Sequence, residues 1–391
     1  MSFKSSRGRD LGKELEIFMS TKIGLSLSPA AESTISVSSS GGTTFIIGND
    51  KFHVFTADDT LQTTGLGPKT VDVLVVGGGG GGGKAMGAGG GAGGLIFHPG
   101  APGSTFSGTI SITVGGGGAG SPGGLAGANG GNSSVGTAYT ALGGGGGNRY
   151  SSSSPHFPAL PISIPDPATP VAQGCRGGSG GGGAGTNNGP GGVALQTTHA
   201  PLPADSRTYG FGNNGGTSNV YEDENYYSRG GGGGAGTAGG NNAIPNTSGG
   251  AGTNPGPGRD NWGWGGDGKS IPAPFVSPDY PAGVISALGG VPTSSPEWTY
   301  FAGGGGAGSN GGPATTGVDS NGKNRGGLGN NTGPSSSYEY GFGSHNDGVN
   351  SGNGANGCPG RGGGGGGGKW STGTGGNGGG GCVIIKINNF L

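Results

Sequence analysis

Charge, sulfur and ordinary core-forming side chains are all scarce in this chain. Only 10% of its 391 residues are charged and 29% are hydrophobic, too few to furnish the two or three conventional cores that the length would otherwise hold. One elongated module with a small β core is the expectation. A formal net charge of -1 leaves no basic field to attract nucleic acid. The three cysteines, Cys175, Cys358 and Cys382, are too few and too scattered for a disulfide framework or a zinc site, which is compatible with assembly in a cytoplasm. No apolar run approaches the roughly 18 residues of a membrane span. The opening MSFKSSRGRDLGKELEIF lacks the apolar centre of a signal peptide, so an extracellular role is expected to be reached by lysis or on a particle.

What fills the chain instead is glycine, 109 residues of it, nearly all between Gly77 and Gly381. Two apolar segments clamp that field: Val71-Asp72-Val73-Leu74-Val75-Val76 in front and Cys382-Val383-Ile384-Ile385-Lys386-Ile387 behind. Holding glycine in regular structure costs roughly 0.5 to 1 kcal/mol more than alanine, so the field handicaps folding by something on the order of 50 to 100 kcal/mol. Gly/Ser-rich sequence by default forms flexible coil. Three features oppose that here. The glycines fall in eight uninterrupted runs of four or more, with apolar and aromatic inserts between them. A phrase recurs as GGGGAGSPGG from Gly115, GGGGAGTNNG from Gly180, GGGGAGTAGG from Gly231 and GGGGAGSNGG from Gly303. The field also ends in a strand-like segment that a tether would not need.

Bare backbone can adopt the left-handed threefold polyproline II helix, whose N–H and C=O groups all point outward. One such helix is unstable alone, whereas several side by side satisfy one another. Collagen's Gly-X-Y period is absent, so the expected architecture is a bundle of polyglycine II helices, a run of seven spanning about 22 Å at 3.1 Å per residue. The strands should form a small β-sandwich: an alternating stretch from Ser33 to Ser38, a hairpin from Thr43 to Thr56 turning at Gly48-Asn49-Asp50, then Val71 to Val76, Leu95 to His98 and Phe106 to Val114. The terminal strand from Val383 to Ile387 completes it. The fold class read from the sequence is therefore mainly β and irregular: a sandwich platform closed by the C-terminal strand, carrying a polyglycine II bundle with long loops. Its expected divisions are an arm at 1–32, the platform with the first glycine run at 33–114, the bundle at 115–381 and the closing strand at 382–391.

Segments between glycine runs must be turns at the bundle ends, and Ser121-Pro122-Gly123, Asn187-Asn188-Gly189-Pro190 and Asn254-Pro255-Gly256 supply turn chemistry. The longer inserts carry most of the aromatics. Asn148 to Gln173 holds Tyr150, His156, Phe157 and six prolines; Val193 to Arg229 holds Tyr209, Phe211, Tyr221, Tyr226 and Tyr227. Arg259 to Phe301 adds Trp262, Trp264, Phe275, Tyr280, Trp298, Tyr300 and Phe301, and a later insert adds Tyr338, Tyr340 and Phe342. Rigid amphipathic rings in loops either cap a bundle that has no side chains of its own or bind sugar faces and protein surfaces. The contact candidates are Tyr150, His156, Phe157, Tyr221, Tyr226, Tyr227, Trp262, Trp264, Trp298 and Tyr300. The basic, amphipathic N-terminal stretch, with Lys4, Arg7, Arg9, Leu11, Leu15 and Phe18, reads as a docking arm or as a frayed tail.

Motifs suggesting chemistry fail on context. Gly263 to Ser270 satisfies the phosphate-loop pattern, but no strand precedes it and Ile271-Pro272-Ala273-Pro274 stands where a helix must begin. Val71 to Gly82 imitates the dinucleotide fingerprint, but more glycine replaces the helix that would receive a pyrophosphate. The five histidines have no metal-ligand spacing. Glu222-Asp223-Glu224 resembles a glycosidase acid pair but reads better as a solvated acidic loop. Lys84, Arg149, Arg176, Arg229, Arg361 and Lys369 flank glycine runs, as solvated ends or as contacts to anionic sugars. Neither cofactor nor metal nor catalytic residue is expected.

The passage Phe52-His53-Val54-Phe55-Thr56, then VDVLVVGGGGGGG, a glycine-rich interior and a terminal GGNGGGGCVIIKI resembles the glycine-rich domain of virion proteins of tailed phages, especially marine ones, from about Thr43 onward. By composition and repeat rhythm the interior is similar to the receptor-binding tail-fibre adhesins of T-even-type phages, in which polyglycine helices alternate with variable host-contacting loops. The long N-terminal and loop segments depart from the adhesin pattern. The resemblance implies a non-enzymatic virion protein, a tail fibre or tail tip assembled in the host cytoplasm and released by lysis. Its arm would dock on other virion proteins, and its loops would meet a host glycan or outer-membrane protein. A homotrimer, or a tip mounted on a trimeric fibre, is then expected. A purely structural capsid decoration or tail accessory is the alternative.

Overall fold

The two apolar clamps lie side by side. In the structure, a computed structural model, β5 (Thr70–Val76) and β13 (Cys382–Ile387) pair antiparallel, Cys382 opposite Val76 and Lys386 opposite Asp72. The residues described are 38–122, 126–149, 174–184, 189–196, 210–218, 229–241, 263–272, 279–289, 299–308, 352–368 and 373–391. Ser38–Leu391 group as one unit. The arm residues Lys4, Arg7, Arg9, Leu11, Leu15 and Phe18, and the expected strand residues 33–37, lie outside the described residues.

A hairpin of β2 (Thr43–Ile47) and β3 (Asp50–Phe55) turns at Gly48, whose φ of 61° suits glycine. With β6 (Leu95–Pro102) and β10 (Gly210–Phe211) these strands form a six-stranded antiparallel sheet in the order β10-β6-β5-β13-β3-β2. A second sheet runs β1 (Ser38–Ser40), β4 (Asp59–Thr64), β7 (Gly108–Thr113), β8 (Ser133–Val135) and β9 (Tyr139–Ala141). Two buried histidines join the sheets. His53 of β3 meets Gly41 O at 2.8 Å through Nδ1 and Ser39 Oγ at 2.9 Å through Nε2, and His98 of β6 meets Tyr139 OH at 2.9 Å.

The sandwich has a third layer, built from parts of the segment expected as an aromatic loop, Arg259 to Phe301. β11 (Lys269–Ser270) pairs with β12 (Tyr300–Phe301), and a short helix α1 (Ala282–Ala287) lies between them in sequence. Ile271, Tyr280, Val284, Leu288 and Phe301 from this layer pack with Phe52, Val54, Leu74, Val76 and Ile384 of the six-stranded sheet. Covered on both faces, β5 is buried from Val71 to Val76 and β13 throughout. This is why their sequences read as nearly continuous apolar runs, interrupted only by Asp72 and Lys386, rather than alternating ones. Gly289, at φ 94°, ends α1, and an added Cβ there would fall 2.4 Å from Cys358 Sγ.

The described residues of the glycine field form a lattice of extended passes running from this platform to a far end and back. Pass 77–83 follows β5 directly. Gly77, Gly80 and Gly83 donate to the carbonyls of Gly94, Gly91 and Ala88; Gly78 and Gly81 donate to Gly131 and Ala128; Gly79 and Gly82 donate to Gly379 and Gly376. Its carbonyls accept on the same period: Gly78 and Gly81 from Gly144 and Gly147, Gly79 and Gly82 from Gly118 and Ser121, Gly80 and Gly83 from Gly365 and Gly368. All these N···O distances are 2.8–3.0 Å. A partner that changes with every residue and repeats every third is the signature of a helix with three residues per turn. Six passes surround this one, the three that accept its N–H groups running antiparallel and the three that donate to it running parallel.

Side-chain-free Cα atoms make that packing possible. A Cβ at Gly79 would lie 2.0 Å from Gly363 O, at Gly82 2.0 Å from Gly366 O and at Gly78 2.1 Å from Gly116 O. With a bond of roughly 1.5 Å to the missing Cβ, the Cα atoms stand about 3.5 Å from those oxygens, the range of Cα–H···O contacts. One net backbone hydrogen bond contributes about 1 kcal/mol, comparable with glycine's extra entropy of about 0.5–1 kcal/mol. A surrounded pass thus roughly offsets its own handicap, and a solitary one cannot.

Candidate functional site

The alternation of passes sorts every connection to one end of the bundle or the other. At the end away from the platform, residues 84–87 link passes 77–83 and 88–94, with Ala85 and Met86 held at φ 55° and 56° and Lys84 Nζ donating to Pro122 O at 3.1 Å. Arrayed around this turn, Ala88 donates to Asn148 O, Gly89 to Gly230 O, Gly308 to Gly87 O, Gly368 to Gly83 O and Ala85 to Gly373 O. Further out, Ser218 donates to Gly189 O, Gly231 to Gly240 O and Ala307 to Gly263 O. The described chain therefore breaks off and resumes at this far end between 122 and 126, 149 and 174, 184 and 189, 218 and 229, 241 and 263, 308 and 352, and 368 and 373. At the platform end it does so between 196 and 210, 272 and 279, and 289 and 299.

This division separates the aromatic candidates. Tyr150, His156, Phe157, Tyr221, Tyr226, Tyr227 and Trp262 lie outside the described residues, in segments whose two flanks both sit at the far end. Trp264 is half-buried in pass 263–268, one residue in from the far end, its carbonyl accepting Gly240 N–H at 2.8 Å. Trp298 also lies outside the described residues, but between flanks at the platform. Tyr300, in β12, is half-buried at the platform, its carbonyl accepting Arg361 Nη1 at 2.7 Å. The acidic run Glu222-Asp223-Glu224 lies outside the described residues too.

Two of the arginines read as flanking the runs are not solvated. Arg229 and Arg361 are both 0% exposed. Arg361 Nε donates to Leu288 O at 2.8 Å, closing the C-terminus of α1, and its guanidinium lies 4.9 Å from the centre of the Phe301 ring. Each of the two immediately precedes a long glycine run, the one sequence sign that they enter the lattice with it.

The phosphate-loop look-alike is a pass. Gly266 donates to Gly232 O and Asp267 N–H to Thr237 Oγ1, and Lys269 opens β11 with its Nζ 4.6 Å from the centre of the Phe211 ring. The dinucleotide look-alike is the surrounded pass itself, with its N–H groups engaged by protein carbonyls. Burial raises the Cys175 thiol to about 11 and the Cys382 thiol to about 12, so both are protonated near neutrality and poor nucleophiles. Among the described residues no group of His, Cys, Asp and Glu could hold a metal ion. A cleft of about 330 Å³ opens on the five-stranded sheet, with Phe106, Val135 and Tyr139 buried beneath a rim of Thr105, Thr109 and Thr137.

The family described as a glycine-rich domain matches residues 56–273, more than half of the chain. The chain belongs to that family. The matched part of this glycine-rich domain runs from the end of β3 through the first passes to β11, and ends before β12 and the closing strand β13. No curated protein matches the chain.

Proposed function

We propose that this glycine-rich domain protein is a non-enzymatic virion component of a tailed phage, a tail-fibre or tail-tip subunit whose far-end segments recognise the host surface. The observation that carries this reading is that the described flanks of the inserts 150–173, 219–228 and 242–262 all lie at one end of the lattice, opposite the platform. Tyr150, His156, Phe157, Tyr221, Tyr226, Tyr227 and Trp262 belong to segments that begin and end there. The resemblance of the clamps and glycine interior to phage virion proteins and fibre adhesins supports it. A rigid lattice lowers the ordering cost of presenting several segments at once, and aromatic rings suit the faces of surface glycans or an outer-membrane protein. In this reading the N-terminal arm, through Lys4, Arg7, Arg9, Leu11, Leu15 and Phe18, docks on another virion protein, as a homotrimer or on a trimeric shaft. Host cytoplasm is the site of assembly and lysis the route of release.

Replacing residues 150–173 and 242–262 with short Gly/Ser linkers tests the assignment. Particles should assemble normally yet lose adsorption to their host; unchanged adsorption overturns the receptor role. Imaging of the particle adds a second test, since a position flush on the capsid would favour a decoration subunit over a distal tip.

A further inference from the structure

The face of the six-stranded sheet that carries the apolar core also carries an ionic trio at its edge, with Lys386 and Asp72 buried and Asp50 half-buried. Lys386 of β13 stands in register between Asp72 of β5 and Phe52 of β3. Its Nζ lies 2.9 Å from Asp72 Oδ2 and 3.6 Å from Asp50 Oδ2, and Lys386 and Asp72 are only 6% and 8% exposed. The other oxygen of Asp72, Oδ1, accepts Gly100 N–H at 2.7 Å and Asn388 Nδ2–H at 3.1 Å. One carboxyl group is thus offered an amine at one oxygen and two fixed N–H donors at the other, with a second carboxylate beside the amine.

Buried ion pairs give little net stability, because desolvating both charges cancels most of their attraction. We propose that Lys386 and Asp72 condense to an intramolecular isopeptide bond, with Asp50 as the proton carrier. Asp50 takes a proton from the ammonium and passes it to Asp72 Oδ2, and the freed Nζ attacks Cγ of the now neutral acid. The charge that develops on Oδ1 is held by Gly100 N–H and Asn388 Nδ2–H, placed as an oxyanion hole. Asp50 then carries a second proton from nitrogen to Oδ2, which departs as water. The N–C bond forms and the C–O bond breaks; two of the ammonium's three protons leave in the water, and nothing is oxidised or reduced. Fixed contact between the groups and the burial of Lys386 and Asp72 favour amide formation that free amine and acid would not undergo. The product would join the strand entering the glycine field to the strand leaving it.

Intact-mass measurement of the purified full chain under denaturing conditions is the test. The expected result is a mass lower than the sequence mass by one water, and a digest containing a branched peptide that joins the Lys386 and Asp72 segments. Lys386→Met and Asp50→Asn should restore the full sequence mass, with circular dichroism verifying that each variant is folded. A wild-type chain at its full sequence mass, with Lys386 unmodified in the digest after prolonged incubation, overturns the proposal. A folded Asp50→Asn chain that still loses water overturns the role given to Asp50.

Discussion

At Gly79 and Gly116 the same amino acid does two different jobs. A methyl group on Gly79 would meet the carbonyl of Gly363 at 2.0 Å, whereas around Gly116 nothing lies within 4 Å of it. Gly79→Ala must push two passes apart and should destabilise the protein by about 1–3 kcal/mol or more. Gly116→Ala should leave stability within about 0.5 kcal/mol or raise it slightly, by limiting the unfolded chain. Urea unfolding of the two variants checks this directly; equal losses would mean that the lattice contacts do not set the glycine requirement. His53 supplies a pH test. Burial holds its pKa below the usual 6.5, the Gly41 carbonyl opposes that shift and the charge of Lys51 adds to it. An imidazole kept neutral in the fold but free to protonate when unfolded costs nothing above about pH 6.5. Stability should then fall as the pH drops from that value towards the lower folded-state pKa, and this acid sensitivity should shrink in His53→Gln, as read from urea midpoints between neutral and mildly acidic pH.

At the scale of the element, outer passes solve a problem that inner ones do not have, since they lack neighbours on the solvent side. Asparagines three residues apart supply the missing acceptors. Asn129 and Asn132 take the N–H groups of Gly146 and Gly143, and Asn353 and Asn356 take those of Thr374 and Asn377. Replacing Asn129 and Asn132 together by Ala should cost about 1 kcal/mol for each hydrogen bond and speed amide exchange at Gly143 and Gly146 while leaving Gly77 to Gly83 protected. The clamps, the hairpin and the existence of stacked passes were legible beforehand, because apolar runs and uninterrupted glycine leave few other physical solutions. The third layer was not. Tyr280 and Phe301 stand among prolines and serines whose local pattern reads as loop, and only the distant strands β3 and β13 give them a core to enter. Nor does the repeated GGGGAG phrase encode position: Ala119 is exposed, whereas Ala184 and Ala307 are 0% exposed. The burial of Arg361 was illegible for a similar reason, its partners Leu288 O and Tyr300 O being remote in sequence.

Considered as a whole, the molecule depends on its last strand. β13 pairs with β3 on one side and β5 on the other, so a chain ending at Gly381 loses the centre of the six-stranded sheet. Such a truncation should fail to give a cooperative unfolding transition, which circular dichroism would reveal. The free thiols test how closely the rest is packed. Cys175, Cys358 and Cys382 are all buried, so alkylating reagent at mildly alkaline pH should leave the native protein unlabelled and modify every one of these cysteines once denaturant is added; rapid native labelling would contradict the packing around them.

Because partners change with each glycine and return at the third, the lattice imposes a reading frame on chain length. Losing one glycine from the run 77–83 would turn the remainder of that run by a third of a revolution, aiming each donor at the wrong neighbour along the rest of its course. Insertions and deletions at the far end disturb no such phase. Changes of length are therefore tolerated between passes and not within them, so that connections can be lengthened, shortened or exchanged while the trellis keeps its count.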